Sequence, residues 1–199
     1  RLEHAVDHRA AQRARPVVLD LQLRLGQGHL IGVHHRLPVS EAMTRIEDIY
    51  KPYHSTLRRL LAQTHVTFGH AILIDCHSMP STIKCQTSET RPDFILGDRY
   101  GTSCAIELTD FATELLKGYG YTVSRNKPYA GGFITEHHGR PASGLHALQI
   151  EINRGLYMDE GAHTLHSGFN TLADHLASFV RELTAMPDTA FGADSIAAE

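Results

Sequence analysis

The most regular pattern of apolar and polar positions lies between Ser40 and Gly69. Apolar residues recur there at steps of three and four, which is the spacing of one face of an α-helix. The apolar positions are Met43, Ile46, Tyr50, Tyr53, Leu57, Leu60 and Leu61. Pro52 lies inside this pattern and Gly69 at its end. We therefore expect a helix that kinks or breaks near Pro52 and stops at Gly69.

Runs of β-forming residues predict the strands of a sheet. Residues 71–76, AILIDC, form a short bounded apolar run that is typical of a buried parallel strand. Residues 145–152 predict a second long strand, with Leu148, Ile150 and Ile152 on one face. Shorter strands are predicted at 94–96, 121–125 and 133–135.

Two further helices and one loop are predicted among these strands. One helix runs from a cap at Thr102 or Ser103 to Gly118, and the other runs from 167 to 184. Residues 126–132 contain a proline and two adjacent glycines, which is typical of a loop. Because helices alternate with strands, the expected fold class is α/β.

Residues 1–36 sustain neither helical nor strand periodicity. A short apolar run from Val17 to Leu23 stands there among Arg, His and Gln residues. We expect residues 1–36 to be an atypical segment, either disordered or produced by a truncated or altered reading frame. A single domain is expected over residues 37–199, with a frayed polar tail from Pro187.

The composition narrows the class of protein. A chain of 199 residues is long enough for one domain, and its formal net charge of −3 gives no basic surface for nucleic acid. No apolar run approaches the roughly 18 residues needed to cross a membrane. Three cysteines without a CxxC pair argue against a disulfide framework and a cysteine zinc site, and they favour a reducing, cytoplasmic location. The 15 histidines include enough side chains for a metal or acid–base site, with compositional drift as the alternative.

The strongest candidate for chemistry follows the first long strand, where Asp75, His77 and Ser78 come together. Ligands bind at the carboxyl ends of strands in open α/β sheets. Asp75 and His77 alternate onto the same side of an extended chain, so Asp75 could orient the imidazole of a metal-binding His77. The alternative interpretation is a loop histidine that caps the local backbone.

A second candidate is Glu151, an acid within the apolar strand at 145–152. It points away from its apolar neighbours, to the side of Gln149 and Asn153. Because a buried acid is costly unless it is paired or functional, this side faces water, a loop or an active-site cleft. Arg154 could bind a substrate carboxylate through two hydrogen bonds, or form a surface salt bridge.

Two other segments carry weaker candidates. The stretch GGFITEHHGRP at 131–141 contains His137 and His138, of which at most one serves a given site if the chain is extended. A polar turn is the alternative interpretation. Asp98 lies between a strand and a helix, where polar substrate groups can meet backbone N–H groups. Cys104 has no assignable partner, so a Cys–His pair is the least favoured catalytic arrangement.

Taken together, five segments of this chain resemble the N-formylglutamate amidohydrolase (deformylase) family. They are RIEDIYKPYH, AILIDCHSMPS, RPDFILGDRYGTSC, GGFITEHHGRP and HALQIEINRGLYMDE. The resemblance extends from about Leu37 to about Leu183. It implies a three-layer α/β fold like that of the zinc carboxypeptidases and aspartoacylase, with a mixed, mostly parallel sheet between helices. Residues 37–199 would then be the C-terminal part of the family fold.

The resemblance also implies an activity, the zinc-dependent hydrolysis of N-formyl-L-glutamate to formate and L-glutamate in histidine degradation. One Zn²⁺ ion is expected, with His77 as a ligand and Glu151 as the catalytic carboxylate. The positions implied to lie near the substrate are Arg154, His137, Asp98 and Thr135. The expected partner is a small acidic N-acyl amino acid, with neither nucleic acid nor membrane as a partner. The sequence gives no oligomeric state.

The chain departs from the family pattern in two places. The other metal ligands belong to a Pro-His-Ser-Gly-like block that is not recognisable in residues 1–36. Glu136 stands where a basic residue is expected, and His138 where an aromatic residue is usual. These departures keep two alternatives open, a non-catalytic truncated homologue and a deacylase for another N-acyl amino acid.

Overall fold

A five-stranded sheet forms the centre of the fold. The structure, a computed structural model, describes residues 17–21, 38–83 and 91–186. The strands of the sheet are β1 (Val17–Leu21), β2 (Ala71–Met79), β3 (Phe94–Gly97), β4 (Val123–Arg125) and β5 (Leu145–Asn153). The helices are α1 (Val39–Arg45), α2 (Lys51–Phe68), α3 (Ile106–Gly118), α4 (Phe133–His138) and α5 (Gly168–Thr184). Two short antiparallel strands, β6 (Met158–Asp159) and β7 (Thr164–Leu165), follow β5.

The sheet is mixed and mostly parallel, which confirms the expected α/β class. Its strand order is β1-β2-β5-β3-β4. Strands β1, β2 and β5 are parallel, β3 and β4 are parallel to each other, and β3 meets β5 in the antiparallel direction. The parallel connections place the carboxyl ends of β2 and β5 side by side at one edge of the sheet.

Helices cover both faces of the sheet, so the fold has three layers. Ile72 and Ile74 of β2 are buried in the larger core, together with residues of α3 and α5. The alternating residues Ala71 and Leu73 are buried on the opposite face, against leucines of α2. This alternation follows from strand geometry, in which successive side chains point to opposite faces.

The long helical segment predicted between Ser40 and Gly69 consists of three parts. A π-helical turn at Ile46–Tyr50 connects α1 to α2, so the irregularity expected near Pro52 lies just before that proline. Pro52 is in the first turn of α2 and cannot donate a backbone hydrogen bond to the preceding helical turn, and the irregular π-helical turn lies directly before it. Gly69 ends the helix with a φ of 78°, and the short connection to β2 turns α2 back along that strand.

Strand β1 was not predicted from periodicity. Its backbone pairs in parallel with β2, from Val17 opposite Ile72 to Leu21 opposite Cys76. Five residues beside irregular sequence give too short a pattern to recognise, whereas the neighbouring strand supplies the hydrogen bonds. The rest of the expectation for residues 1–36, and the frayed tail expected from Pro187, lie outside the described residues.

The strand predicted at 133–135 is wrong, because residues 133–138 form the helix α4. The Glu136 N–H donates to the Gly132 carbonyl at 3.1 Å, and the Gly139 N–H donates to the Thr135 carbonyl at 2.9 Å. Buried positions at Ile134, Thr135 and His138 follow helical spacing. A window of three residues could not reveal that spacing. Among the described residues, no helix is both long and apolar enough to cross a membrane.

Candidate active site

The sheet face that packs against α2 changes from apolar to polar along β2 and β5. The parallel register aligns the two strands residue by residue. The pairs on this face are Leu73 with Ala147, Asp75 with Gln149 and His77 with Glu151. Apolar side chains meet α2 at the start of both strands, and polar side chains follow toward their carboxyl ends. The sequence-predicted His77 and Glu151 are therefore direct neighbours across the sheet.

A cleft with a volume of about 1070 Å³ opens over the polar half of this face. Its floor contains Asp75, His77, Gln149 and Glu151. Residues of the π-helical turn, the start of α2 and the loop before α4 form its walls, together with Arg154. The residues of these walls include Tyr50, Tyr53, His54, Tyr129, Ala130, Gly131, Gly132 and Phe133. The cleft thus lies at the carboxyl ends of parallel strands, where α/β proteins bind ligands.

His77 and Asp75 lie side by side on the same face of β2, which agrees with the spacing of the two residues. Its Nε2 lies 2.9 Å from Oδ1 of Asp75, and both side chains are buried. A carboxylate that holds one ring nitrogen of a histidine fixes the ring, and the other nitrogen is then the one that can ligate a metal ion. The pair therefore has the chemistry of one metal ligand with its supporting acid.

A complete metal site is not found among the described residues. No three His, Cys, Asp or Glu side chains within 38–83 and 91–186 are grouped so that they could hold a metal ion. A catalytic zinc site usually has three protein ligands. His77 thus fits one ligand position, and a set of three ligands would need at least one residue from outside these ranges.

Glu151 is buried in the floor of the cleft, with 8% of its surface exposed. Its Oε1 accepts a hydrogen bond of 3.0 Å from Nε2 of Gln149. The Oε1 atom of Gln149 in turn accepts a hydrogen bond of 2.7 Å from the Gly132 N–H. Sequence reasoning placed Gln149 on the same side of the strand as Glu151 but gave it no role.

Arg154 lines the cleft from a 3₁₀ turn directly after β5. Its Nε donates to Ser78 Oγ at 3.2 Å and its Nη2 to the Ser78 carbonyl at 3.3 Å, while its Nη1 lies 3.5 Å from Glu160 Oε1. Burial raises the pKa of Glu160, but hydrogen bonds from Ser81 and the charge of Arg154 outweigh it and lower the pKa overall. Glu160 therefore stays ionised and holds the guanidinium at the rim of the cleft.

Tyr129 is a cleft residue that sequence reasoning missed. Burial raises the pKa of its hydroxyl, and the negative charge of Glu151 raises it further, against the opposing charge of Arg154. The phenol is therefore protonated at neutral pH and can donate a hydrogen bond. Its position directly after Pro128, in a loop recognised only by its turn residues, gave no signal of this role.

Three other predicted substrate residues do not line the cleft. Asp98 is 1% exposed, and its carboxylate accepts from Asn126 Nδ2 at 2.6 Å and from Arg125 Nη2 at 3.0 Å. Burial raises its pKa, but these hydrogen bonds lower it overall. Thr135 Oγ1 donates to a backbone carbonyl at 2.8 Å. The ring of His137 stacks on a neighbouring aromatic ring at 5.0 Å. Their roles near the substrate stay predictions.

Glu136 and His138, the two departures in α4, are also not among the residues that line the cleft. Glu136 is exposed, and its Oε2 lies 3.2 Å from Arg99 Nη2. His138 is buried, with Nε2 3.3 Å from Nδ1 of His54. Burial, followed by the charges of His137 and His54, lowers the pKa of His138 to about 4, so its ring is neutral at pH 7.

Cys104 is fully buried in the larger core, which agrees with its rejection as a nucleophile. Burial raises the pKa of its thiol to about 12. The thiolate, which is the reactive form, is therefore negligible at neutral pH.

Comparison with known proteins agrees with the sequence resemblance. A model of the N-formylglutamate amidohydrolase family matches residues 22–158. An N-formylglutamate deformylase of Pseudomonas putida is 41% identical over 120 residues, which cover 58% of this chain and 43% of that protein. An N-formylglutamate deformylase of Pseudomonas aeruginosa PAO1 is 34% identical over 146 residues, which cover 72% of this chain and 53% of that protein. The chain thus spans about half the length of these relatives.

Solved structures give the same fold. The crystal structure of N-formylglutamate amidohydrolase from Ralstonia eutropha JMP134 superposes with a TM-score of 0.70 at 37% identity, covering 76% of this chain and 55% of that one. The structure of gene product Atu2144 from Agrobacterium tumefaciens has a TM-score of 0.54 at 20% identity, covering 74% of this chain and 55% of that one. At that identity the second likeness concerns the fold alone.

Proposed function

This chain belongs to the N-formylglutamate amidohydrolase family, and we propose that it contributes His77, Glu151 and Arg154 to the hydrolysis of N-formyl-L-glutamate. The products would be formate and L-glutamate, as in histidine degradation. The observation that carries the proposal is the pairing of His77 with Glu151 on adjacent parallel strands, facing one cleft. A cytoplasmic location stays a prediction.

Zinc is part of the proposal. His77, oriented by Asp75, would be one ligand of the ion. A bound zinc ion supplies Lewis-acid chemistry, because it polarises a carbonyl and makes water more acidic. The ligand count within the described residues supports the alternative of a chain that does not bind zinc tightly by itself.

The remaining chemistry falls to the side chains of the cleft. In this proposal Glu151 accepts a proton from the attacking water and passes it to the leaving amine. Its carboxylate is buried in the floor and accepts a hydrogen bond from Gln149. The guanidinium of Arg154 contacts Ser78 and Glu160, and the remaining N–H groups on its Nη1 and Nη2 can form two parallel hydrogen bonds to a substrate carboxylate. Tyr129 can donate a hydrogen bond to a substrate oxygen from the loop before α4.

The proposal is tested by measuring formate release from N-formyl-L-glutamate with added zinc. We expect turnover by the wild type and a loss of roughly 10²- to 10⁴-fold in kcat for Glu151→Gln, because proton transfer would be lost. The matched control Glu114→Gln makes the same change on the exposed surface of α3 and should leave kcat unaltered. A folded, zinc-supplemented wild type without turnover would contradict the proposal. Fewer than one zinc per chain, measured in the same sample, would favour the non-catalytic alternative.

A further inference from the structure

We propose that Gln149 is a positioning residue, which holds the carboxylate of Glu151 and couples it to the loop at residues 129–132. The inference rests on the function proposed above. Its basis is one buried amide that bridges the floor and the wall of the cleft. Gln149 is 5% exposed, donates to Glu151 at 3.0 Å and accepts from the Gly132 N–H at 2.7 Å.

The position of Gln149 is fixed on three sides. Its backbone lies in the middle of β5, opposite Asp75 on β2 and opposite Gly97 on β3. Its side chain reaches over the floor toward Glu151, two residues further along the same strand face. A side chain held at both its backbone and its tip has little freedom, so it restricts the rotamers of the group that it contacts.

The loop at residues 129–132 packs closely against the sheet at Gly97, the β3 residue opposite Gln149. A Cβ atom on Gly97 would lie 2.6 Å from the Gly131 nitrogen and 2.7 Å from the Ala130 carbonyl carbon. The absence of a side chain at Gly97 therefore lets the loop approach the strand closely. The same loop carries Tyr129 into the cleft. A shift of the loop would consequently pull on the amide that holds Glu151.

Only an amide of this length meets both requirements at position 149. Its nitrogen donates to a carboxylate while its oxygen accepts from a backbone N–H. Glutamate would keep an acceptor for Gly132, but it would lose the donor and place a second negative charge beside Glu151. Leucine has a similar size and would lose both hydrogen bonds. These two substitutions therefore separate the two contacts of the amide.

The first measurement is kcat and KM for N-formyl-L-glutamate in Gln149→Leu and Gln149→Glu. We expect both variants to lose roughly tenfold to a hundredfold in kcat, which is the usual effect of removing the partner of an active-site group. KM should change less, because Gln149 acts on Glu151 and not on the substrate. A normal kcat in Gln149→Glu, with a loss only in Gln149→Leu, would mean that the amide anchors the loop alone and would overturn the proposal.

A double-mutant cycle with Glu151→Gln distinguishes positioning from a general structural role. If Gln149 acts through Glu151, the fold-loss in kcat caused by Gln149→Leu should largely disappear when residue 151 is already Gln. Thr113→Val is the matched control, since it removes the buried hydrogen bond from Thr113 Oγ1 to the Thr109 carbonyl in α3, away from the cleft and from the loop at residues 129–132. Its effect should be the same in both backgrounds. Equal effects of Gln149→Leu in both backgrounds would overturn the proposal.

The same cycle, followed by urea unfolding, gives a readout that does not depend on turnover. For this readout Glu151→Leu replaces Glu151→Gln, because the amide oxygen of a glutamine could still accept from Gln149. Gln149→Leu and Glu151→Leu should have non-additive effects on the unfolding midpoint, because they remove the two ends of one hydrogen bond. Additive effects would contradict the coupling even in an active enzyme. If the wild type unfolds normally but shows no turnover, the proposed function fails while this coupling can still be measured.

Discussion

Protonation of two buried histidines should destabilise the native chain in mild acid. His138 is 5% exposed and His146 is 1% exposed. Burial is the main cause that lowers the pKa of each ring to about 4, from an ordinary value of 6.5. The nearby charge of His137 lowers the pKa of His138 further. At His146 the charge of His70 also lowers the pKa, whereas the charge of Glu107 raises it. The perturbation is a decrease of pH from about 7.5 to about 5.

The direction and size of the stability change follow from the protons that the native and the unfolded chain bind. Between pH 6.5 and pH 4 the unfolded chain binds protons at His138 and His146 that the native chain does not bind. The free energy of unfolding is therefore greatest above pH 6.5, falls as the pH decreases and levels off below pH 4. At pH 5 the loss is about 2 kcal/mol for each histidine. The sum is a large part of the roughly 5–15 kcal/mol that stabilises an ordinary domain.

Urea unfolding between about pH 7.5 and pH 5 measures this loss. The range ends at pH 5 because carboxylates such as Asp98 and Glu160 titrate below it. The variants His138→Gln and His146→Gln carry no titrating ring, and each should lose part of the pH dependence. His163→Asn, at an exposed position, is the control and should keep the dependence of the wild type. The double variant combines His138→Gln with His146→Gln. If it loses stability between about pH 7.5 and pH 5 as steeply as the wild type, the reasoning is refuted.

Three further changes test the site and its support. Asp75→Asn removes the charge that orients His77, so zinc affinity in a chelator competition should fall roughly tenfold to a hundredfold, and an unchanged affinity would contradict the role of Asp75. Arg154→Lys keeps the charge but loses the two parallel donors, so KM for N-formyl-L-glutamate should rise roughly tenfold to a hundredfold with a smaller change in kcat. Gly97→Ala forces a methyl group to within 2.6 Å of the Gly131 nitrogen, and urea unfolding should report a loss of about 1–3 kcal/mol.

The two long strands of the site could be predicted because their patterns are strong. The apolar run at 71–76 and the alternation at 145–152 identified β2 and β5, and the facing of Glu151 followed from alternation. Periodicity does not predict the register between β2 and β5, because about 70 residues separate the two strands in the chain. That register places His77 opposite Glu151, and here only the resemblance to a family associated the two residues in advance.

The parts that sequence reasoning missed depend on contacts between distant segments. The sequence predicts a strand at the position of α4 because three residues do not define a period, and the hydrogen bonds of this helix begin at a glycine in the preceding loop. The role of Gln149 depends on the loop reaching its side chain, which no local pattern records. Asp98 was expected near the substrate, whereas Arg125 and Asn126 occupy its carboxylate. A buried polar residue at a strand end indicates that it has a hydrogen-bonding partner, but the pattern does not show whether that partner is a substrate or another side chain.

The polar half of the β2–β5 face is an unfavourable arrangement for stability alone. Asp75 is fully buried, and its Oδ2 atom has no hydrogen-bond partner among the described residues. Glu151 brings a second acidic side chain to the same floor, while Arg154 already contacts Ser78 and Glu160. Burying an acid without full compensation costs several kcal/mol, and an apolar floor would avoid that cost. A positively charged ligand beside His77 would supply the compensation, so the electrostatics of the floor and the proposed metal chemistry point to the same position.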